Sequence, residues 1–412
     1  MAATTNSSSS NEAILAAATM MQRFTCRLCG SDAESGALSL GPVPVCNRFA
    51  TAPGQAPRVD LDLVQCAACQ LVQLRQAPPP DLLTPRHGWI RYREPEAHLD
   101  AVAEAVLAEM PRAENVLGTG PFDAPLLARL GDRGLSVRSL TLDAPAAPGL
   151  HPYLESWQAL LDPQRLPADA RYDLVCSRYI VEHTPSPVQA LQALRPLLAP
   201  GGLVLLEVPD SSTFLAACDY SFPWEEHASY FVEATLERLA AVAGFELRRL
   251  LRFPGALEDA LVALLAVSPA PAPRLSCGGT AAFRAYGEGF SARRARIVQQ
   301  IDAWAGPARD GVALFGLGHQ AIMFANAHGV APQIALAVDD DPDKQGFFPP
   351  GFATPVVSSD RLLQAAQIRA CLFAVAPAIE ARLQDRLAPL ARRGVVFRSI
   401  YAARDNAIVP HA

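Results

Sequence analysis

The 412-residue chain has no apolar run approaching the length of a bilayer span, which excludes a helical membrane protein. It also lacks a strong charge of either sign. Its 35 Lys and Arg stand against 41 Asp and Glu, a net charge of −6, with no general pull toward nucleic acid or an anionic membrane. No basic region precedes the modest apolar stretch in MAATTNSSSSNEAILAAATMM, so no secretory leader is expected, and residues 1–22 read as a disordered tail. A reducing, cytoplasmic setting is the matching expectation. What the chain has in quantity is apolar residues, 50% of the total and enough for a substantial core. Its length suggests two or three domains rather than one. A homo-oligomer is compatible with all of this.

Cysteine is sparse but not scattered. Nine are present, an odd count, and four form the pairs Cys26-Arg27-Leu28-Cys29 and Cys66-Ala67-Ala68-Cys69. That pattern favours metal over disulfides. Two C-x-x-C knuckles can bring four thiolates to one tetrahedral ion, usually Zn²⁺, and the ion then closes the long loop between them. A small module with few core residues needs such a staple. Four thiolates leave no open coordination position, so the expected role is structural. Cys46 lies between the pairs, either as a free thiol or as an alternative ligand.

Residues 172–210 carry the clearest α/β signal. An apolar run at 172–175 reads as a buried strand. Val188, Leu191, Leu194, Leu197 and Leu198 follow at helical spacing, and Pro200-Gly201-Gly202 is expected to stop that helix. A second strand is predicted over 203–208, which makes a parallel crossover unit. The wording is more specific than the pattern. A strand entering Glu182-His183, a helix, LLAPGG and a strand ending in E-x-P resemble the second half of a class I S-adenosylmethionine (SAM) methyltransferase. CRLCGS, LSLGPVPVCNRF and LDLVQCAACQLVQL resemble the zinc-binding module of sugar C-methyltransferases, which act on deoxysugars carried on a nucleoside diphosphate. The resemblance covers nearly all of residues 24–400.

The resemblance implies a set of site residues. The family's acidic residue and glycine-rich turn correspond to VLGTGPFDAPLL, where Gly118 stands at the acidic position, Gly120 keeps a glycine and Asp123 keeps an acid in the turn. Glycines let the backbone approach a ligand, and the next helix presents its N–H groups. Asp143 follows a predicted strand at 137–142, where a carboxylate can accept both ribose hydroxyls. Ser177 and Arg178 fall where the backbone meets the donor. His183 matches the family histidine, to orient substrate or to cap the next helix. Tyr92 matches a tyrosine lying over the active site; a packed connector is the other reading.

SFPWEEHASYF at 221–231 corresponds to the catalytic stretch. C-methylation needs a base beside a keto group, and His227 is the candidate, with Glu226 to orient its ring and raise its basicity. A packing histidine is the alternative. Trp224 replaces a family tyrosine whose hydroxyl could steady an enolate. Further on, a strand running into Gly316-x-Gly318-x-x-Ala321, with Asp339 some twenty residues later, looks like a dinucleotide turn. VDDDPDKQG matches a segment of the family's C-terminal domain. Lys344 and Gln345 are therefore candidates for substrate or interdomain contacts, and His319 for a contact to the nucleotide.

The expected architecture is α/β. A zinc-binding module at 23–78 precedes a seven-stranded, Rossmann-like class I methyltransferase domain at 79–268. A linker and helix at 269–300 lead to a C-terminal Rossmann-like α/β substrate domain at 301–412. The expected function is SAM-dependent C-methylation of a nucleotide-linked keto-deoxysugar, with SAM and structural Zn²⁺ as cofactors. O- or N-methylation of another small acceptor is the alternative enzyme, and a non-catalytic scaffold with a degraded SAM loop the third reading.

Overall fold

A computed structural model describes residues 24–90, 94–140, 171–268 and 281–410. Three sheets organise them. The first begins as an antiparallel meander of β1 (Glu34–Pro44), β2 (Arg58–Cys66) and β3 (Val72–Leu74). Alternation sets its inner face: Leu61 and Leu63 of β2 point into the core and are fully buried.

The second sheet contains β4 (Asn115–Gly118), β5 (Ser136–Ser139), β6 (Tyr172–Arg178) and β7 (Leu198–Asp210), all parallel. A two-residue strand, β8 (Ser229–Tyr230), leaves this region and pairs with β3 of the first sheet, Val72 opposite Tyr230. The second sheet then closes with an antiparallel pair, β9 (Phe245–Phe253) and β10 (Asp259–Val267). Its order is β5-β4-β6-β7-β10-β9, six strands among the described residues. The segment expected to add a seventh, 151–161, lies outside them.

The expected helix over 188–198 is shorter. The α-helix spans Pro187–Leu194, a 3₁₀ turn covers Arg195–Leu197, and β7 starts at Leu198. Pro196 has no N–H to continue the ladder. Pro200-Gly201-Gly202 therefore lies inside β7 and does not act as the helix stop. Gly202 is needed there: a Cβ would come within 2.9 Å of the Tyr172 carbonyl oxygen.

The helix Ala281–Ala305 spans the first and third sheets. Phe283 and Tyr286 are buried in one continuous core with Leu38, Tyr220 and Leu314. Each such aromatic contributes roughly 1.5–3 kcal/mol of burial. The third sheet is wholly parallel, formed by β11 (Val312–Phe315), β12 (Leu336–Val338), β13 (Val356–Val357), β14 (Ala370–Phe373) and β15 (Val396–Ser399), in the order β13-β12-β11-β14-β15. Buried on both faces, β11 and β14 read as unbroken apolar runs. No helix among the described residues is long and apolar enough to cross a membrane.

Candidate active site

The cysteine knuckles are built alike. Gly30 N–H donates to the Cys26 carbonyl at 2.9 Å and Gln70 N–H to the Cys66 carbonyl at 3.0 Å, and both turns end in a left-handed residue, Gly30 at φ +71° and Gln70 at φ +68°. Cys26 Sγ lies 3.3 Å from Cys69 Sγ and Cys29 Sγ 3.6 Å from Cys66 Sγ, with all four sulfurs within 4.8 Å of one another. Tetrahedral Zn²⁺ with bonds of ~2.3 Å needs sulfurs ~3.8 Å apart, so the four residues fit the ion. The Cys69 thiol, hydrogen-bonded to Cys26, lowers the Cys26 thiol below its ordinary value. Arg238, on the helix Glu233–Val242, donates to the Cys69 carbonyl and ties the knuckle to the second sheet.

In the second sheet β4 has β5 on one side and β6 on the other, so the crevice beyond their carboxyl ends is a topological switch point. Gly118, Gly120, Asp123, Ser177 and Arg178 all meet there. Asp123 Oδ2 accepts the N–H groups of Thr119 at 2.7 Å and Gly120 at 2.8 Å, and its Oδ1 accepts the Arg178 N–H at 3.0 Å. A Cβ on Gly118 would sit 2.9 Å from the Asp123 Cβ, so Asp123 already occupies the space that an acidic side chain at 118 would claim. Ser177 Oγ is buried without a hydrogen-bond partner. The Arg178 guanidinium turns inward to Glu207, whose other partner is His98 Nε2 at 2.7 Å. The frame of the crevice suits a nucleoside-bearing donor, while one corner of it holds Arg178. Asp143 and Tyr92 lie outside the described residues.

The loop of the first sheet holds the segment 221–231 in place. Cys46 N–H donates to Glu225 Oε1 at 2.6 Å, and Asn47 Nδ2 to Glu226 Oε1 at 3.0 Å. The Glu226 side chain therefore faces this loop, while its backbone carbonyl hydrogen-bonds His183. The His183 and His227 rings lie 4.6 Å apart and nearly perpendicular. Burial pushes His183 down to about 3 and His227 well below its ordinary 6.5, so both imidazoles are neutral at neutral pH. The sequence reading missed Glu182 as their neighbour. Its carboxyl is buried with neither oxygen hydrogen-bonded, and its oxygen and the two histidine nitrogens lie within 4.8 Å of one another. Its adjacency to His183 in the EH pair is the signal that could have found it.

Trp224 packs 5.0 Å from His227 and stacks on His319 at 4.2 Å. This stack walls a cavity of about 600 Å³, which Asn47, Trp89, Gly318 and Lys344 also line. The Tyr230 hydroxyl accepts the Trp224 N–H at 2.8 Å and donates to the Trp224 carbonyl at 3.0 Å, a structural use. At the far wall Asp339 Oδ2 accepts from Leu317 N–H at 2.9 Å and from Lys344 Nζ at 2.8 Å, and Gln345 Nε2 donates to the Asp339 carbonyl at 3.2 Å.

Residues 89–250 match the family model described as "Methyltransferase domain". They are a class I methyltransferase domain. Residues 26–83 match the model described as "Putative zinc binding domain". The chain thus carries a domain of the class I methyltransferase fold next to a zinc-binding module whose four cysteines cluster. No curated protein matches it. Solved structures similar to the methyltransferase domain include 1,6-didemethyltoxoflavin-N1-methyltransferase of Burkholderia thailandensis with bound 1,6-didemethyltoxoflavin and S-adenosylhomocysteine. That pair has 19% identity over 42% of this chain and 79% of that one, with a TM-score of 0.32. The magnesium protoporphyrin IX methyltransferase of Synechocystis PCC 6803, with bound SAH, has 15% identity over 44% and 91%, with a TM-score of 0.31.

Proposed function

We propose that the methyl acceptor is a nucleotide-linked keto-deoxysugar, methylated at carbon, with His227 as the base. The observation that carries the reading is the neutral His183–His227 pair directly behind the Trp224 wall of a cavity shared with the glycine turn of the third sheet. That cavity is large enough for a ligand of nucleotide-sugar size. Lys344 and the N–H groups at the start of the helix His319–Ala327 suit a diphosphate, and Trp224 and Trp89 suit apolar ring faces.

SAM, bound in the switch-point crevice, supplies an electrophilic methyl group. His227 takes a proton from the carbon beside the keto group, and the electron pair of that C–H bond becomes the nucleophilic enolate. The enolate carbon would accept the methyl group that bound SAM supplies, leaving the neutral thioether behind, and the proton remains on the His227 imidazole until solvent removes it. Burial keeps His227 unprotonated and at the same time lowers its strength as a base, so proton removal relies on close positioning of the substrate carbon. His183 orients its neighbour at 4.6 Å. A second reading, transfer to oxygen or nitrogen of another small acceptor, draws on Trp224, which offers no hydroxyl to an enolate.

The test needs no donor. In D₂O the full chain should exchange the proton beside the keto group of a nucleoside diphosphate-linked keto-deoxysugar, followed by mass spectrometry. His227→Ala should slow exchange by ~10²–10⁴-fold, the usual worth of a positioned base. Exchange that persists in the variant, or is absent from the wild type, rules out the base assignment.

A further inference from the structure

We infer that the Arg178 side chain fills the corner of the methyltransferase crevice that the cationic amino-acid end of the donor would take, so that donor binding requires this side chain to withdraw. The inference rests on the reading that SAM lies in the switch-point crevice, and it is independent of the acceptor. Arg178 is the last residue of β6, on the strand beside the switch point, and is fully buried. Its Nε donates to Glu207 Oε2 at 2.5 Å, and its Nη2 to Glu207 Oε1 at 3.3 Å and to the Pro95 carbonyl at 3.1 Å. Its Nη1 donates to the Phe122 carbonyl. One side chain thus joins the glycine turn, the inside of β7 and the segment ahead of the helix Leu99–Glu109.

The rest of the turn also faces inward. Asp123 holds two of its N–H groups, and a Cβ on Gly120 would approach Ile180 Cδ1 to 2.1 Å. The tip of the Ile180 side chain therefore crowds the face of this glycine. The surroundings are rich in carboxyls. Burial first, then neighbouring acids, raises Glu94 to about 7, Glu258 to about 8 and Glu182 well above its ordinary value. Carboxyls raised this far are partly or wholly neutral at pH 7, so the cation site is Glu207 itself, and the guanidinium is the cation present. The ammonium and sulfonium of SAM are cations as well, so entry of the donor is an exchange of one positive group for another over Glu207. His98, 2.7 Å from Glu207 Oε1, keeps that carboxylate hydrogen-bonded while the exchange occurs.

The test is calorimetric titration of the full-length, zinc-loaded chain with SAM and no acceptor. Arg178→Asn removes the guanidinium and should tighten binding at least tenfold over wild type. The double variant Arg178→Asn/Glu207→Gln removes both buried charges together, which protects folding; it should bind more tightly than wild type because the corner is vacated, but less tightly than Arg178→Asn because the donor's cation loses its carboxylate. Zinc content and far-UV circular dichroism confirm that each variant is folded. Folded variants that gain no affinity overturn the inference, and so does a wild type that already binds SAM as tightly as they do. The deuterium exchange above proceeds without donor, so its result stands or falls separately.

Discussion

The described residues contain two glycine turns, each at the carboxyl end of a parallel strand, and they are finished differently. Each has a carboxylate that accepts backbone N–H groups: Asp123 takes those of Thr119 and Gly120, and Asp339 takes that of Leu317. Each also has a basic side chain nearby. At the first turn Arg178 is fully buried against Glu207. At the second, Lys344 keeps a side-chain exposure of 20% and lines an open cavity. The same local chemistry thus gives a sealed corner in one sheet and an accessible wall in the other. The difference comes from depth. A buried ion pair must be satisfied from all sides, whereas a lysine at a rim stays solvated and free to change partners.

Removing the acidic partner at each turn is the severest trial of this contrast. Glu207→Ala leaves Arg178 buried without its counter-charge and should cost about 3–5 kcal/mol. Asp339→Ala leaves a partly exposed lysine and an unpaired Leu317 N–H at the rim, and should cost about 1–2 kcal/mol. Urea unfolding at constant zinc reads both, and similar losses would abolish the distinction. A smaller effect comes from pH. Burial holds His183 at about 3 in the folded chain, against about 6.5 unfolded, so the folded state binds fewer protons. Its contribution is fully present above about 6.5 and is lost as pH falls toward 3, by about 1.4 kcal/mol per pH unit. His183→Gln should flatten the fall of stability between pH 6.5 and 5 by that slope; an unchanged slope would show that His183 protonates in place. The smallest stability change is expected for Lys344→Ala, below about 1 kcal/mol. The same substitution should weaken binding of a nucleoside diphosphate about tenfold, as measured by titration, since one charged hydrogen bond is worth about 1.5 kcal/mol or more.

Much of the scaffold is legible in the residues. The knuckle spacing is local, so four sulfurs at one point follow from the sequence alone. The strand–helix–strand unit over 172–210 is legible for the same reason, apart from Pro200-Gly201-Gly202, which terminates nothing because Pro196 has already ended the helix. His183 and His227 can be picked out by their wording, and the fold brings their rings together. What cannot be read is direction. Nothing near position 178 tells that its guanidinium turns inward, because Glu207, Phe122 and Pro95 are partners only in three dimensions. The Trp224–His319 stack joins different sheets, and Glu226 turns to Asn47 through a loop of the zinc module. These are tertiary outcomes, which no periodicity encodes.

The pairing of Val72 and Gln73 with Tyr230 and Ser229 has a practical meaning for anyone rebuilding this protein. The front segment is no cassette to be clipped away for a leaner catalyst, nor a handle to be exchanged for a sturdier one. It is stitched to the stretch that presents His227, the proposed base, so chelation at the knuckles should loosen the bench on which that residue stands.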